Sequence, residues 1–437
     1  MPWKQTYILS CSRLKTVRHR GRSQNPATEG SALITALLIL LFALPVGIAF
    51  YRYTVVTMRS AIAEQRQKTA AGMANDVVTD YMRQFSQDAY NGHYDIDKLD
   101  RPETFYSNGF STVAFETDQI NRSVYLRAEG SYGTPNNPLA RKVIEALIQF
   151  QSDLTQYGTM INGAFTISAD NASYDGGLWI NGNLSVTGDN VRFNGGPLVV
   201  NGNLSGAASV VLDGDLYYSG TSAGSVSVLG NKYNFVPTVS WPALDFNYYD
   251  AHYTYKTTTD RTIVFNSTGT FTIVNGPTFS IPSQGAIIYG ENCNLTIKGV
   301  VSGRVTVIAG GAVGTCSSSN GKITVSDNLF YVGSSSISAD ANQSFAALAR
   351  NCVTFSKTGA NLVAVGIYFV EQGTSNMSLS GSSGRSFWLY GVRTQGINIS
   401  PSSSFNSLRS INYDNNLRAY PPPGLPEKAL LVNWSLH

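Results

Sequence analysis

Two aspartates in the middle of the chain, Asp213 and Asp215, are the acidic residues best spaced for chemistry. Residues two apart on a strand share a face, and paired carboxylates can divide acid and base roles or share a calcium ion. However, both flank Gly214, and the matching positions of a sister motif are Asn201 and Asn203, which are typical turn residues. We interpret the pair as turn residues, with catalysis or calcium binding as the alternative.

Other signatures of catalysis are missing from the sequence. His93, His252 and His437 are scattered, and a grouping with serine and aspartate has no local signature. The chain has no GxSxG, Walker loop or HExxH, and no GxGxxG between a strand and a helix. We therefore predict neither an enzyme nor a cofactor or metal site.

An aromatic and proline-rich stretch at about residues 231–262 interrupts a run of short strands. Exposed aromatic rings on it could stack on sugars, which would make the stretch a glycan contact. The alternative is that the rings are buried beneath a loop. The residues concerned are Trp241, Tyr248, Tyr249, Tyr253 and Tyr255.

The four cysteines are Cys11, Cys293, Cys316 and Cys352, without CxxC or Cys/His spacing. In an oxidising compartment one pair could form a disulfide. We predict Cys293 with Cys316, because each lies near a Gly-rich turn and the two are about one structural repeat apart. Three unpaired, buried thiols in the body are the alternative.

Composition and charge favour a β-rich body without affinity for nucleic acid. Only 14% of the residues are charged, and Gly, Ser, Asn and Thr are abundant. The chain holds 31 Lys and Arg against 28 Asp and Glu, but six basic residues and one acid lie within residues 1–30. The remainder is nearly neutral and has no Lys/Arg run of the kind that binds phosphates.

The basic leader is followed by an uncharged stretch, SALITALLILLFALPVGIAF, at residues 31–50. About 20 apolar residues at 1.5 Å each span a bilayer. Beyond it Met73, Val77, Tyr81 and Phe85 recur every fourth residue, as on one face of a helix. We predict one transmembrane and amphipathic helix over residues 31–88, bent at Pro45. The basic leader favours a cytoplasmic amino terminus and a translocated body.

A basic leader ending at Gly30, before a small residue and an unbroken apolar helix, resembles a class III signal cut by prepilin peptidase. The resemblance implies cleavage between Gly30 and Ser31. The fifth mature residue is Thr35, where major pilins carry Glu, and this is similar to the K-type minor pseudopilins and PilX-type assembly proteins. The resemblance implies that this helix first anchors the subunit in the membrane and then packs in a filament core. A plain single-pass anchor with an uncut leader is the alternative.

Residues 104–150 contain three extended runs, and the run SVYLRAEG alternates apolar and polar residues. They predict a small antiparallel meander whose apolar face is covered by the end of the long helix, similar to a pilin head.

From residue 156 an Asn-Gly or Asp-Gly step recurs, with glycines at Gly163, Gly182, Gly202 and Gly214. A period near 20 predicts solenoid coils whose corners use Gly or Asn at positive φ. The predicted body is a right-handed parallel β-helix. The alternative is an antiparallel β-sandwich, because Asn-Gly also forms hairpins.

Short strands resume after residue 261 and predict a second set of coils. The run 344–351 is expected to be a cap or a brief helix, and the closing tail with PPPG is expected to cover the last solenoid edge. The order of these motifs resembles that of uncharacterised bacterial envelope proteins that join a PilX-type amino terminus to a β-solenoid.

The predicted organisation is a leader (1–30), a helix (31–90), a pilin-like meander (91–155) and a β-solenoid (156–437). We expect an inner-membrane protein with a periplasmic body, or an extracellular one in a pilus. The resemblance implies a minor pilin-like structural subunit of a type IV pilus or type II secretion system, at a filament tip. Its implied partners are prepilin peptidase and other pilins or pseudopilins. The alternative is a tethered surface adhesin or a β-helix protein that binds or degrades polysaccharide.

Overall fold

The computed structural model describes residues 27–90, 103–118, 122–168, 170–206, 209–222, 226–236, 241–316, 320–333, 343–357, 361–372, 377–380, 385–394, 397–398 and 405–437. The basic residues of the leader, Cys11 and His93 lie outside the described residues. The chain divides into two units, Met1–Arg66 and Gln67–His437.

Helices take up a small part of the described chain. They are α1 (Ala27–Tyr90), α2 (Phe246–His252) and α3 (Asn416–Ala419), with a 3-10 turn at Asp153–Thr155. The predicted helix over residues 31–88 is confirmed as α1, which contains Pro45. Helix α2 begins after Asp245, whose carboxylate accepts hydrogen bonds from the N–H groups of Asn247 and Tyr248.

Strands make up most of the remainder, and those of the first half are short after β4. They are β1 (Thr104–Tyr106), β2 (Gly109–Asp118), β3 (Ser123–Thr134), β4 (Asn137–Gln151), β5 (Thr159–Ile161), β6 (Phe165–Ile167), β7 (Ser173–Asp175), β8 (Leu178–Ile180), β9 (Leu184–Val186), β10 (Arg192–Asn194), β11 (Leu198–Val200), β12 (Leu204–Gly206), β13 (Val210–Leu212), β14 (Leu216–Tyr218), β15 (Val226–Val228) and β16 (Lys232–Tyr233).

The strands of the second half are mostly longer. They are β17 (Tyr255–Thr257), β18 (Arg261–Asn266), β19 (Thr270–Ile273), β20 (Thr278–Ser280), β21 (Ala286–Gly290), β22 (Leu295–Val301), β23 (Arg304–Ala309), β24 (Lys322–Tyr331), β25 (Ser344–Ala349), β26 (Cys352–Ser356), β27 (Leu362–Val370), β28 (Met377–Ser380), β29 (Arg385–Thr394), β30 (Ile397–Asn398), β31 (Phe405–Asn412) and β32 (Lys428–Leu436). Residues 344–349 form strand β25, so the cap or brief helix predicted there was wrong.

Strands β1 to β4 form an antiparallel meander, and β32 joins it as a fifth strand beside β4. The expectation that the closing tail covers the last solenoid edge was therefore wrong. The chain returns to the meander instead, because β4 offers a free edge to which β32 can hydrogen-bond.

The last part of α1 covers one face of this sheet, as predicted. Met73, Val77, Tyr81 and Phe85 are buried, and the last three belong to a shared core with Leu126 and other inward residues of β2, β3 and β4. Each such side chain contributes on the order of 1.5–3 kcal/mol when buried. Helix and sheet touch backbone to backbone at Gly130, where an added Cβ would lie 2.0 Å from the Ala70 carbonyl oxygen.

Strands β5 to β16 form a solenoid, here called the first stack, in which each strand pairs in parallel with its counterpart one coil later. The predicted solenoid is confirmed, and the antiparallel sandwich is wrong for this region. The handedness of the coils stays a prediction. Side-chain hydrogen bonds run up one corner, from Asn181 to Asn162, Asn201 to Asn181 and Ser219 to Asn201, across 19, 20 and 18 residues.

The recurring glycines serve close stacking more than positive φ. Gly182 and Gly202 are absent from the described positive-φ residues. A Cβ on Gly182 would lie 2.6 Å from the Gly163 carbonyl carbon, and one on Gly202 would lie 2.6 Å from the Gly182 carbonyl oxygen. The corner therefore needs glycine because successive backbones pass too closely for a side chain.

Strands β17 to β31 form a second stack of parallel coils. Its first coil carries an antiparallel addition, β18–β19–β20. There the rings of Tyr255, Phe271 and Phe279 pack together, with centroids 5.0 to 6.2 Å apart. These rings close the apolar interior at this end of the solenoid.

The two stacks join end to end in an order that differs from their order in the sequence. Strand β29 of the second stack pairs with β5, and β31 pairs with β7, so the last coils of the second stack meet the first coils of the first. The resulting ladder runs β15-β13-β10-β7-β31-β29-β27-β25-β23-β21-β17. The coil order is thus a circular permutation of a continuous solenoid, and the chain enters it in the middle.

The connection between the two outer ends of this ladder is residues 234–254, and its described parts, 234–236 and 241–254, are here called the strap. Ten strand spacings of about 4.8 Å amount to about 48 Å. An extended chain of this length with one short helix reaches roughly 60 Å, which is enough. Its rings contact coils at several levels of the ladder: Phe235 packs on Tyr217, Trp241 on Trp179 and Phe369, and Phe246 on Tyr289.

The strap and residues 413–427, here called the C-terminal segment, cover the outer face of the large sheet and create a second core. Leu244, Tyr249, Leu417 and Leu425 are buried there against outward residues such as Phe369. Strands β21 and β25 are buried at every residue. This is the continuous apolar pattern of parallel strands covered on both faces.

Candidate functional site

The start of α1 contains Gly30 and Ser31, between which the sequence predicts cleavage of the leader. Gly30 and Ser31 lie within the helix, and Ser31 is exposed. The Thr35 hydroxyl donates a hydrogen bond to the Ser31 carbonyl at 2.8 Å. Thr35 therefore uses its polar group inside its own helix.

The apolar part of α1 has the properties of a membrane span. Its most apolar window of 18 residues has a mean hydropathy of 2.7, and none of that window is buried against the protein. Large side chains such as Leu38, Phe42 and Phe50 are 50 to 72% exposed. The hydroxyls of Thr54 and Thr57 donate to the carbonyls of Phe50 and Tyr53, which satisfies them without water.

The five aromatic residues predicted to contact glycan do not form one exposed platform. Tyr249 is 1% exposed, and its hydroxyl donates to the Gly424 carbonyl at 3.0 Å. The Trp241 indole N–H donates to the Glu371 carbonyl at 3.0 Å. Tyr248 stacks on His252, Tyr255 packs against the core of the solenoid, and Tyr253 is 47% exposed. The strap uses most of these rings for packing, which agrees with the alternative of burial beneath a loop.

Asp213 and Asp215 lie at a corner of the first stack. The Asp215 carboxylate accepts a hydrogen bond from the Asn231 backbone N–H at 2.8 Å, one coil later. This contact agrees with the interpretation of Asp215 as a turn residue. Among the described residues, no group of three or more His, Cys, Asp or Glu side chains is placed to hold a metal ion.

The cysteine pairing predicted from the sequence was wrong. Cys316 forms a disulfide with Cys352, and Cys293 is buried with a free thiol. Burial raises the pKa of the Cys293 thiol to about 11. Cys316 lies in the loop that follows β23, and the described part of this loop is hydrogen-bonded to Asn351, the neighbour of Cys352.

Asn351 fixes that loop. Its side-chain amide donates to the Ala312 and Asn320 carbonyls at 2.7 and 2.6 Å, and its oxygen accepts from the Gly314 N–H at 2.9 Å. The residue is fully buried. An isolated asparagine before a cysteine carries no sequence signal for this role.

Buried charges hold the C-terminal segment and the strap, and the sequence did not predict them. Arg122 Nη2 lies 2.6 Å from a Glu427 oxygen, and both side chains are less than 10% exposed. Burial raises the pKa of the Glu427 carboxyl, and the guanidinium groups of Arg122 and Arg304 partly offset that rise. The two partners are 305 residues apart, so only the tertiary structure reveals the pair.

Glu371 is a second buried acid, and it binds the strap from beneath. Its carboxylate accepts from the Leu244 N–H at 2.9 Å and lies 3.6 Å from Arg350. Burial raises the pKa of Glu371, while the Leu244 N–H and Arg350 act in the opposite direction.

A small cavity lies where β4, the 3-10 turn and the C-terminal segment meet. Its volume is about 160 Å³, and its lining includes Gln149, Ser152, Thr155, Arg418 and Tyr420. Pockets for small-molecule ligands usually measure about 300–1,000 Å³. This cavity has room for a few water molecules only.

No protein-family model and no curated protein sequence matches the chain. Among solved structures, the competence-associated pilin ComZ from Thermus thermophilus is similar at 12% sequence identity and a TM-score of 0.31, over 85% of this chain and 97% of that chain. A likeness at this level establishes neither a common fold nor a common function.

Proposed function

We propose that the protein is a minor pilin-like structural subunit. Helix α1 anchors it in a bacterial inner membrane, and the subunit displays the β-solenoid outside the cytoplasm. The proposed system is a filament of the type IV pilus or type II secretion kind, with this subunit near the tip. The role is structural and not catalytic. In this proposal prepilin peptidase removes the leader after Gly30.

The observation that carries the proposal is helix α1 itself. One helix, Ala27–Tyr90, contains an uncharged apolar stretch with exposed side chains, and its last part is packed on an antiparallel sheet. A membrane span needs only the first feature. The combination supports a subunit whose helix first anchors it in a bilayer and then packs among other helices.

The experiment is co-expression of the full chain with an active prepilin peptidase, followed by mass measurement of the amino terminus. We expect a mature protein that begins at Ser31. The Gly30→Ala variant should keep its leader, and a variant with Gly47→Ala, which has open space around the added methyl group, should be cleaved normally. An unchanged mass of the native chain beside active peptidase would rule out this processing and leave a plain anchor.

A further inference from the structure

Strand β32 exposes a row of large apolar side chains at the edge of the five-stranded sheet. Leu431, Val432, Trp434 and Leu436 are 41, 55, 54 and 47% exposed. Together they form an apolar patch on the order of a few hundred Å², the size that often marks an interaction site.

The strand register puts three of these residues on the face of the sheet that α1 covers. Leu431, Trp434 and Leu436 are paired with Ile148, Ala146 and Ile144 of β4, all of which are buried beneath that face. Val432 occupies an irregularity in the pairing, between Leu431 and Asn433. Of β32, only Ala429 belongs to the core beneath α1.

The width of the sheet leaves room for a second helix beside α1. Helix α1 touches β3 directly at Gly130, and β32 lies two strands further along the sheet. Two strand spacings amount to about 9.6 Å. Packed helices have axes about 8–10 Å apart, so a helix above β32 would lie at the normal distance from α1.

An apolar helix suits this place better than the other candidates. Segment 91–102 of the same chain has three Asp, one Lys and one Arg in twelve positions, which is the wrong chemistry for an apolar surface. Edge-to-edge pairing of two β32 strands is disfavoured because the irregularity at Val432 interrupts the row of backbone groups. The uncharged stretch of α1, in contrast, exposes its large apolar side chains and contains no charge from Ser31 to Phe50.

We propose that the apolar patch of β32 binds the uncharged stretch of helix α1 from a second copy of this chain. The inference deepens the proposed function, because it names a surface by which one subunit receives the helix of another. Trp434 is the central anchor, flanked by Leu431 and Leu436.

The test is photo-crosslinking of the full-length protein in assembled filaments, because residues 31–50 of a membrane-anchored copy lie within the bilayer and out of reach of β32. A benzophenone amino acid replaces Leu436, and two copies with different tags are co-expressed. We expect a crosslinked dimer that carries both tags, with the attachment point within residues 31–50 of the second copy. The same probe at Leu229, which is 70% exposed on the solenoid, should give no such product.

A substitution tests the anchor. Trp434→Asp should lower the yield of the Leu436 crosslink at least about tenfold, because a charge replaces a large apolar surface. Leu229→Asp is the matched control and should leave the yield unchanged. Trp434→Ala, with thermal unfolding measured in parallel, separates lost binding from lost folding.

Crosslinks to lipid, to residues 91–102 of the same chain, or to β32 of the second copy would each overturn the inference. The mass of the amino terminus is measured in the same sample. A cleaved leader without the dimer would refute only this interface, whereas a dimer with an uncut leader would refute only the processing.

Discussion

The buried pair of Arg122 and Glu427 joins the meander to the C-terminal segment, and it contributes stability only while both partners are present. Removal of one partner leaves an uncompensated charge in a low-dielectric site. We expect Glu427→Ala to lower the free energy of unfolding by about 3–5 kcal/mol. The combined replacement Arg122→Met with Glu427→Leu should restore most of the loss.

The measurement is urea unfolding of the full chain in detergent, followed by tryptophan fluorescence. Asp80→Ala is the control, because it removes an ion pair with Arg83 whose side chains are 67 and 59% exposed. Such a pair contributes little. Equal effects of Glu427→Ala and Asp80→Ala would contradict the importance of burial.

Glu371 should make attachment of the strap dependent on pH. Its pKa in the folded protein is above its usual value of 4.5 because burial disfavours the charged form. The folded state then binds more protons than the unfolded one, so stability falls as pH rises from the unfolded pKa through the folded pKa.

The comparison is between the native chain and Glu371→Gln, which keeps an oxygen for the Leu244 N–H. We expect the native chain to lose stability relative to the variant as the pH rises from about 4.5, the usual pKa of Glu371. Thermal unfolding at several pH values measures the difference. A difference that is constant over this range, or that grows in favour of the native chain, would contradict the direction of the pKa shift.

Among elements, the contact of α1 with β3 depends on the absence of a side chain at Gly130. An added Cβ would lie 2.0 Å from the Ala70 carbonyl oxygen and 2.7 Å from the Ala74 nitrogen. Gly130→Ala should therefore separate the helix from the sheet and cost about 1–3 kcal/mol. Unfolding by denaturant measures the loss.

Gly72 offers a matched control on the same helix. A methyl group there meets nothing within 4 Å. Gly72→Ala should be neutral or stabilise the helix by up to about 1 kcal/mol, because alanine favours helix more than glycine does. If both substitutions had the same sign and size, close packing at Gly130 would not be the cause.

At the scale of the whole molecule, the permuted coil order makes a prediction about distance. Leu229 follows β15 and Val274 follows β19, close to the two ends of the ladder. Coils placed in sequence order would put these residues near each other. The observed order separates them by about ten strand spacings, or about 48 Å.

Spin labels at Leu229→Cys and Val274→Cys measure this distance by pulsed electron paramagnetic resonance, in a background with Cys11→Ser and Cys293→Ala. Both sites are exposed, at 70 and 41%, so labels should not disturb packing. A distance below about 20 Å would contradict the permuted order.

The sequence by itself determined the features that depend on local chemistry. The uncharged stretch from Ser31 to Phe50 can only lie in an apolar environment. The apolar residues at every fourth position from Met73 to Phe85 require a helix with one covered face. The Asn-Gly steps at Gly163, Gly182 and Gly202 repeat because successive coils of the first stack share one corner, whereas Gly214 stacks on Gly196 at another corner. These signals sufficed for the helix, the meander and the solenoid.

Only the tertiary structure decided what depends on contacts between distant residues. It determined that β31 meets β7, that Cys316 pairs with Cys352, and that β32 returns to the meander. Periodicity specifies that a strand needs a parallel neighbour but not which coil supplies it, because all coils expose similar backbone edges. An aromatic sequence stretch looks the same whether its rings bind a ligand or cover a sheet. Only the contacts of the strap with the outer face of the large sheet show that most of its rings cover that face.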